Sequence, residues 1–107
     1  MDNKMEISRL KVDEKLRELL GSDNVYFQPP ETFKMKYPCF RYTRSSGNSS
    51  YANNESYRFV PQYEVTFISR DPAPSIITDV LESFQMAAYN RHFVIDNLYH
   101  DVFIIYK

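Results

Sequence analysis

The feature that most limits the fold of this chain is a regular alternation of apolar and polar side chains along residues 57–70. The apolar side chains take every second position there, so in an extended chain they all point to one side. They are Tyr57, Phe59, Tyr63, Val65 and Phe67. Pro61 shares their parity and cannot donate to a ladder, so we expect a bulge or a sheet edge at that point. The pattern predicts one long strand with a single buried face.

The aromatic residues are concentrated in the part of the chain that follows Val25. Nine Tyr and eight Phe, with no Trp, make up 16% of the sequence, and none of them precedes that residue. Aromatic side chains fit the half-buried surface of a sheet. We therefore expect the sheet after Val25 and a helix before it.

Two segments carry the spacing of an amphipathic helix. The apolar stripe of the first consists of Val12, Leu16, Leu19 and Leu20, and that of the second of Ile77, Val80, Leu81 and Phe84. Gly21 is expected to end the first helix in a left-handed cap, and Asp71 to cap the second. Asp13 and Arg17, four residues apart, are expected to pair on the outer side of the first helix. Residues 1–9 either extend this helix or fray.

Further strands are expected at residues 25–28, 37–44, 89–95 and 99–106. Residues 44–56 are small and polar, which predicts a mobile loop or hairpin tip. With 107 residues the chain is expected to form one domain. The predicted class is α+β, with two helices packed on one face of a mainly antiparallel sheet of about five strands, in the order α-β-β-β-α-β-β.

The last predicted strand is apolar on both sides. Val102, Phe103, Ile104, Ile105 and Tyr106 follow one another without a polar residue. Two helices can cover only one face of the sheet, so the other face is expected to need a neighbouring copy or another protein.

Composition excludes several kinds of site. The formal net charge of −1 gives no overall basic field for nucleic acid. Cys39 is the single cysteine, so the chain forms no internal disulfide, and we interpret it as a small buried apolar residue. No apolar run is long enough to span a membrane, and residues 1–24 do not have the pattern of a signal peptide, which favours a cytoplasmic origin.

Two histidines, His92 and His100, flank the last predicted turn. If Asp96-Asn97 is a two-residue turn, His92 stands opposite Asp101 as a cross-strand pair. The ionisable residues that an RNA-cleaving enzyme would need are available in Glu64, Arg70, His92 and His100. Nothing in the sequence fixes them at one cleft, so we predict no catalytic, cofactor-binding or metal-binding residues.

Basic and aromatic residues are interleaved in Phe40-Arg41-Tyr42-Thr43-Arg44. On a strand, such residues can offer arginines to phosphates and rings to bases. A half-buried strand with a solvated outer face explains the same pattern. A nucleic-acid-binding module therefore stays as an alternative.

Several short phrases occur in a fixed order along the chain. They are Val25-Tyr26-Phe27-Gln28-Pro29-Pro30, Lys34-Met35-Lys36-Tyr37-Pro38-Cys39, Ala52-Asn53-Asn54, Tyr63-Glu64-Val65-Thr66, Asp71-Pro72, Asp96-Asn97-Leu98-Tyr99-His100 and Val102-Phe103. Together they resemble the small tail-completion proteins of long-tailed bacteriophages, also called minor capsid or head-tail joining proteins. The similarity runs from about the first helix to the C-terminus.

The resemblance implies a structural role in the virion. Tail terminator and neck proteins form rings at the head-proximal end of the tail tube, where they stop tube growth and dock the head connector. The implied partners are further copies of the chain, six by analogy with the family, together with the tail-tube protein and the connector. Genomic DNA would only pass through the lumen, and no membrane is involved. A head-side neck adaptor is the nearest alternative.

The polar loop and the last strand are the expected contacts between copies in such a ring. The predicted interface residues are Arg44, Asn48, Tyr51, Asn53, Asn54, Tyr99, Phe103, Ile105 and Tyr106. The expected location is the tail or neck of the virion, reached from the host cytoplasm during assembly.

Overall fold

Two helices and seven strands make up the part of the chain that the computed structural model describes, which is residues 4–45, 48–52, 56–72 and 74–106. In chain order they are α1 (Lys4–Leu20), β1 (Val25–Phe27), β2 (Cys39–Arg44), β3 (Asn48–Ala52), β4 (Ser56–Val60), β5 (Gln62–Ser69), α2 (Ile76–Ser83), β6 (Met86–Ile95) and β7 (Leu98–Tyr106).

Five of the strands form one sheet, in the order β1-β2-β5-β7-β6. Strands β1 and β2 are parallel, and the other neighbours in this sheet are antiparallel. Strands β3 and β4 form a separate two-stranded sheet. Two helices with a mainly antiparallel five-stranded sheet confirm the predicted α+β class.

The predicted element order was wrong in the middle of the chain. Residues 57–70 form two strands, β4 and β5, which Pro61 separates because it has no N–H with which to continue a ladder. Tyr57 and Phe59 therefore belong to a different sheet from Tyr63. Part of the segment expected as a loop, residues 44–56, is strand β3, which pairs with β4. The expected mobility of that segment stays a prediction.

Helix α1 has the predicted apolar stripe and the predicted end. Val12 and Leu16 are fully buried, and Leu19 and Leu20 pack against the core. Gly21 has a φ of 74°, which favours glycine, and its N–H donates to the carbonyl of Arg17 at 2.8 Å. The helix begins at Lys4, so the described residues before Leu10 continue it.

Helix α2 is short. It begins at Ile76, which is too far along the chain for Asp71 to be its N-cap. Its N-cap position is Ser75, whose side chain makes no capping hydrogen bond. Asp71 instead pairs through its backbone with Ser69, so its predicted capping role was wrong. The apolar stripe is confirmed, since Val80 and Phe84 are buried.

The hydrophobic core lies between the helices and the inward side of the five-stranded sheet. Alternate residues of β2, β5 and β7 point into it, which follows from the period of two along a strand. Its buried members are Val12, Leu16, Val25, Phe40, Tyr42, Tyr63, Val65, Phe67, Val80, Phe84, Phe103 and Ile105. The rings of Tyr42 and Tyr63 meet edge to face, with centroids 6.1 Å apart.

The turn between β6 and β7 has two central residues, so the two-residue case among the expected lengths of two or three is the one observed. Asp96 and Asn97 have φ values of 52° and 64°, as a type I′ turn requires at both central positions. This turn fixes the register, so Ile95 lies opposite Leu98 and His92 opposite Asp101. The conditional prediction that His92 lies opposite Asp101 is confirmed.

Candidate functional site

Strand β6 is the most exposed strand of the main sheet and forms one of its edges. It pairs with β7 on one side, and within the described ranges no strand pairs with its other side. Its large apolar side chains are open to solvent: Met86 is 51% exposed, Tyr89 41%, Val94 52% and Ile95 53%. A long apolar edge with free backbone groups is a template for a further strand.

A bulge at Asn90 divides this edge into two parts. The register passes from Tyr89 opposite Phe103 to Arg91 opposite Val102, so Asn90 has no partner of its own on β7. The extra residue reverses the alternation, and Tyr89 and His92 come to lie on the same, helix-facing side. Beyond the bulge, residues 91–95 form an uninterrupted five-residue edge.

The side chain of Asp101 ties the two parts of β6 to β7. Asp101 is 1% exposed, and its Oδ1 accepts a hydrogen bond from the Tyr89 hydroxyl at 2.7 Å. His92 Nδ1 lies 2.8 Å from the same oxygen and carries the proton in this contact, because a carboxylate can only accept. The His92 ring also stacks on Tyr99, with centroids 5.8 Å apart. This cluster holds the edge strand in place across the bulge.

The stability that the Asp101 cluster contributes depends on pH in the alkaline range, because the Tyr89 hydroxyl is part of the cluster. Although Tyr89 as a whole is 41% exposed, desolvation of its hydroxyl, and then the hydrogen bond to the Asp101 carboxylate, raise the pKa of Tyr89 from 10.0 to about 12. A raised pKa in the folded chain means that the stabilisation is complete below pH 10 and is lost as the pH rises toward about 12.

We therefore expect the free energy of unfolding to fall above pH 10 less steeply in a Tyr89→Phe variant than in the parent chain. Urea unfolding followed by circular dichroism at a series of pH values measures the slope, and ultraviolet absorbance of tyrosinate locates the titration. Equal slopes for the two chains would contradict the assignment.

A layer of polar and aromatic side chains covers the other side of β6 and β7. Arg91 Nη2 lies 3.5 Å from Glu64 Oε1, and its guanidinium stands over the Phe93 ring at 5.6 Å. Phe93 in turn stacks on His100, with centroids 4.7 Å apart. Val102, in register with Arg91, is 1% exposed. The second side of β7 is thus partly covered within the chain, and the unsatisfied apolar surface lies on β6.

Two of the predicted interface residues are in the core. Phe103 and Ile105 are fully buried, because odd positions of β7 face the helices. In the folded chain they cannot contact a partner, and their prediction as interface residues was wrong. Tyr99 and Tyr106 are half-buried, so part of each side chain stays accessible.

Three of the other predicted interface residues lie at the end of β2 or on β3. Arg44 ends β2 and is exposed. Asn48 and Tyr51 lie on β3. Asn53 and Asn54 fall outside the described residues.

The four residues that an RNA-cleaving site would need are not brought together. His92 faces the helix side with Asp101, whereas His100 lies on the opposite side against Phe93. Glu64 is engaged by Arg91, and Arg70 follows the end of β5. Among the described residues, no three His, Cys, Asp or Glu side chains are placed to hold a metal ion.

Cys39 has the environment of a packing residue. It is fully buried, and this burial raises the pKa of the thiol from 9.0 to about 12 against the smaller opposing effect of Arg41. In the part of the chain that the structure describes, no helix is long and apolar enough to cross a membrane.

One cavity lies at the end of the sheet near the start of α2. Its volume is about 480 Å³, and its walls come from the cis Tyr37-Pro38 peptide, from Phe67 and Ser69 of β5 and from Ile76. Arg70 and Asp71 are its charged lining residues. Two of its lining residues, Phe67 and Ser69, pair in register with Asp101 and Tyr99 of β7, and the lining contains neither histidine nor cysteine.

The opposite edge of the main sheet, strand β1, is short and covered. It has three residues, and Asn24 and Gln28 on either side direct their backbone groups toward β2. The carbonyl of Val25 points the other way by alternation, and Arg17 Nη2 donates to it at 3.4 Å. Arg17 Nη1 reaches the carbonyl of Asp23 at 3.4 Å. The two edges therefore differ, since one is blocked by a helix side chain and the other is open.

No protein-family model matches this chain, and a search of curated proteins finds no match.

Proposed function

We propose that this protein is a structural component of a bacteriophage virion that completes the tail and joins it to the head connector. In this role it acts as a ring of identical copies at the end of the tail tube. The observation that carries the proposal is the open edge of β6, on which four large apolar side chains are 41–53% exposed.

An edge of this kind is costly for a chain that acts alone. Each large apolar side chain that moves from water into a contact contributes roughly 1.5–3 kcal/mol when it is fully buried. Natural edge strands are usually short, charged or covered, as β1 is here. The β6 edge is ten residues long, and in the part of the chain that the structure describes the bulge at Asn90 is its one interruption. Burial against a neighbour removes this cost.

The chemistry of the described residues also favours a structural role over a catalytic one. The titratable groups of the edge are used in contacts within the chain, His92 with Asp101 and Arg91 with Glu64. The thiol of Cys39 is enclosed. A ring subunit needs an adhesive surface and a rigid frame, and contacts of one surface with a different surface of the next copy close into a ring when the rotation permits.

Inactivation of the gene in the phage that encodes it tests the proposal. We expect filled heads and separate tails in electron micrographs, with tail tubes longer than the normal length because nothing stops their growth. Separate tails of normal length would instead favour a head-side neck adaptor. Joined, infectious particles without this protein would overturn both.

Variants of the open edge connect this outcome to the structure. Supplying Val94→Lys/Ile95→Lys in place of the parent chain should lower the yield of infectious particles about 100-fold, since losing two good apolar contacts costs on the order of 3 kcal/mol. Both side chains are more than half exposed, so the isolated variant should keep its melting temperature. Thr78→Lys, on the exposed side of α2, is the matched control and should leave the yield unchanged.

A further inference from the structure

The hairpin of β3 and β4 is an incomplete sheet. Each strand has five residues, the two pair antiparallel with each other, and within the described residues neither pairs with the main sheet. An isolated two-stranded hairpin is at best marginally stable in water. Among the described residues, neither the outer backbone groups of the hairpin nor those of β6 have a strand partner.

The two surfaces match in length. The free edge beyond the Asn90 bulge runs from Arg91 to Ile95, which is five residues, the same as β3. A strand added there would continue the sheet in the order β1-β2-β5-β7-β6 and then the new strand. It would also lie beside Val94 and Ile95, the two most exposed large apolar residues of β6.

The Arg17 contact at β1 disfavours the simplest alternative. A ring built by pairing β6 of one copy with β1 of the next would need the outward carbonyl of Val25, which Arg17 occupies. Pairing of β6 with β6 of a second copy uses the same surface twice and gives a closed dimer, which leaves no β6 edge for a third copy. A ring requires two different surfaces, and the hairpin supplies the second.

We propose that the β3–β4 hairpin of one copy adds to the β6 edge of the next copy, with β3 as the strand that pairs along residues 91–95. The contact is strand addition in which donor and acceptor belong to copies of the same chain. This inference rests on the proposed ring and identifies the two surfaces that form its repeated contact.

Crosslinking of engineered cysteines in assembled particles tests this contact. The parent chain has one cysteine, Cys39, which is buried. Its thiol is therefore not expected to react with maleimides in the folded protein. One population of copies carries Ser50→Cys at the middle of β3, and the other carries Phe93→Cys at the middle of residues 91–95, which lies opposite Ser50 whichever way β3 runs. Both are supplied together during assembly, and joined particles are treated with a short flexible bis-maleimide before denaturing electrophoresis.

We expect a dimer that contains one copy of each kind, at about ten times the yield of the control pair, because neighbouring strands bring Cβ atoms within roughly 8 Å. The control pairs Ser50→Cys with Asp23→Cys, whose parent side chain beside the covered β1 edge is 97% exposed. A dimer formed by Phe93→Cys copies alone would overturn the inference in favour of β6 pairing with itself.

The remaining outcomes separate the inference from the proposal on which it rests. If particles are joined and contain the protein but show no crosslink between copies, the hairpin contact is wrong and the ring proposal stands. If purified particles do not contain the protein, both are wrong.

Discussion

Replacing Ile105 by Asn should lower the free energy of unfolding by about 4 kcal/mol, whereas the same change at Ile104 should cost about 1 kcal/mol. The two residues are neighbours on β7 and point to opposite sides of the sheet. Ile105 is fully buried beneath the helices between Tyr63 and Ala87, so the new amide would lie there without hydrogen-bond partners. Ile104 is half-buried on the other side, where its amide would reach water.

Urea unfolding of the two variants and of the parent chain, followed by circular dichroism, measures this difference. The choice of Asn in both places avoids a new charge beside Glu64, which is in register with Ile104. Equal losses at the two positions would mean that β7 has no preferred buried side, and the described core would then be wrong.

The second large effect is expected at Asp13, which fixes helix α1 to the sheet. Its Oδ2 accepts a hydrogen bond from the Tyr42 hydroxyl at 2.6 Å, and its Oδ1 accepts from Nε of Arg17. Tyr42 is fully buried, and burial followed by this hydrogen bond raises the pKa of its hydroxyl well above the usual value. Asp13→Ala should lower the free energy of unfolding by about 3 kcal/mol, because a buried donor loses its acceptor.

Glu14→Ala is the matched control for this change. Glu14 is the next residue on the same helix and is exposed, so its removal should change the stability by less than about 0.5 kcal/mol. In Tyr42→Phe the hydroxyl is absent, and the further loss caused by Asp13→Ala should shrink by about 1–3 kcal/mol. Strictly additive losses would show that the 2.6 Å contact does not couple the two side chains.

Local patterns predicted the parts of this fold that local physics decides. The spacing of Val12 and Leu16 predicted which side of α1 is buried, and Gly21 predicted where the helix ends. The Asp96-Asn97 turn set the register of β6 and β7, and with it the contact between His92 and Asp101. In each case the determining residues lie within a few positions of one another.

Local patterns do not predict features that depend on contacts between residues far apart in the sequence. The apolar run of β7 has no alternation, so parity could not show that Phe103 and Ile105 face the core. Strand order is a property of the whole sheet, and nothing near Val94 or Ile95 in the sequence marks β6 as an edge. Pro61 was noticed as an interruption, but whether it bends one strand or separates two depends on the partner that β4 finds in β3.

The coverage of Val25 by Arg17 bears on what happens when many copies are crowded together. Proteins with an unpaired edge strand on both sides of a sheet can pair edge to edge without limit, and such pairing leads to fibrils. In this chain the guanidinium of Arg17 in α1 donates a hydrogen bond to the outward carbonyl of Val25 at the β1 edge. Unlimited pairing of β6 with β1 of further copies is therefore opposed at Val25, and crowding of copies favours aggregation less than two uncovered edges would.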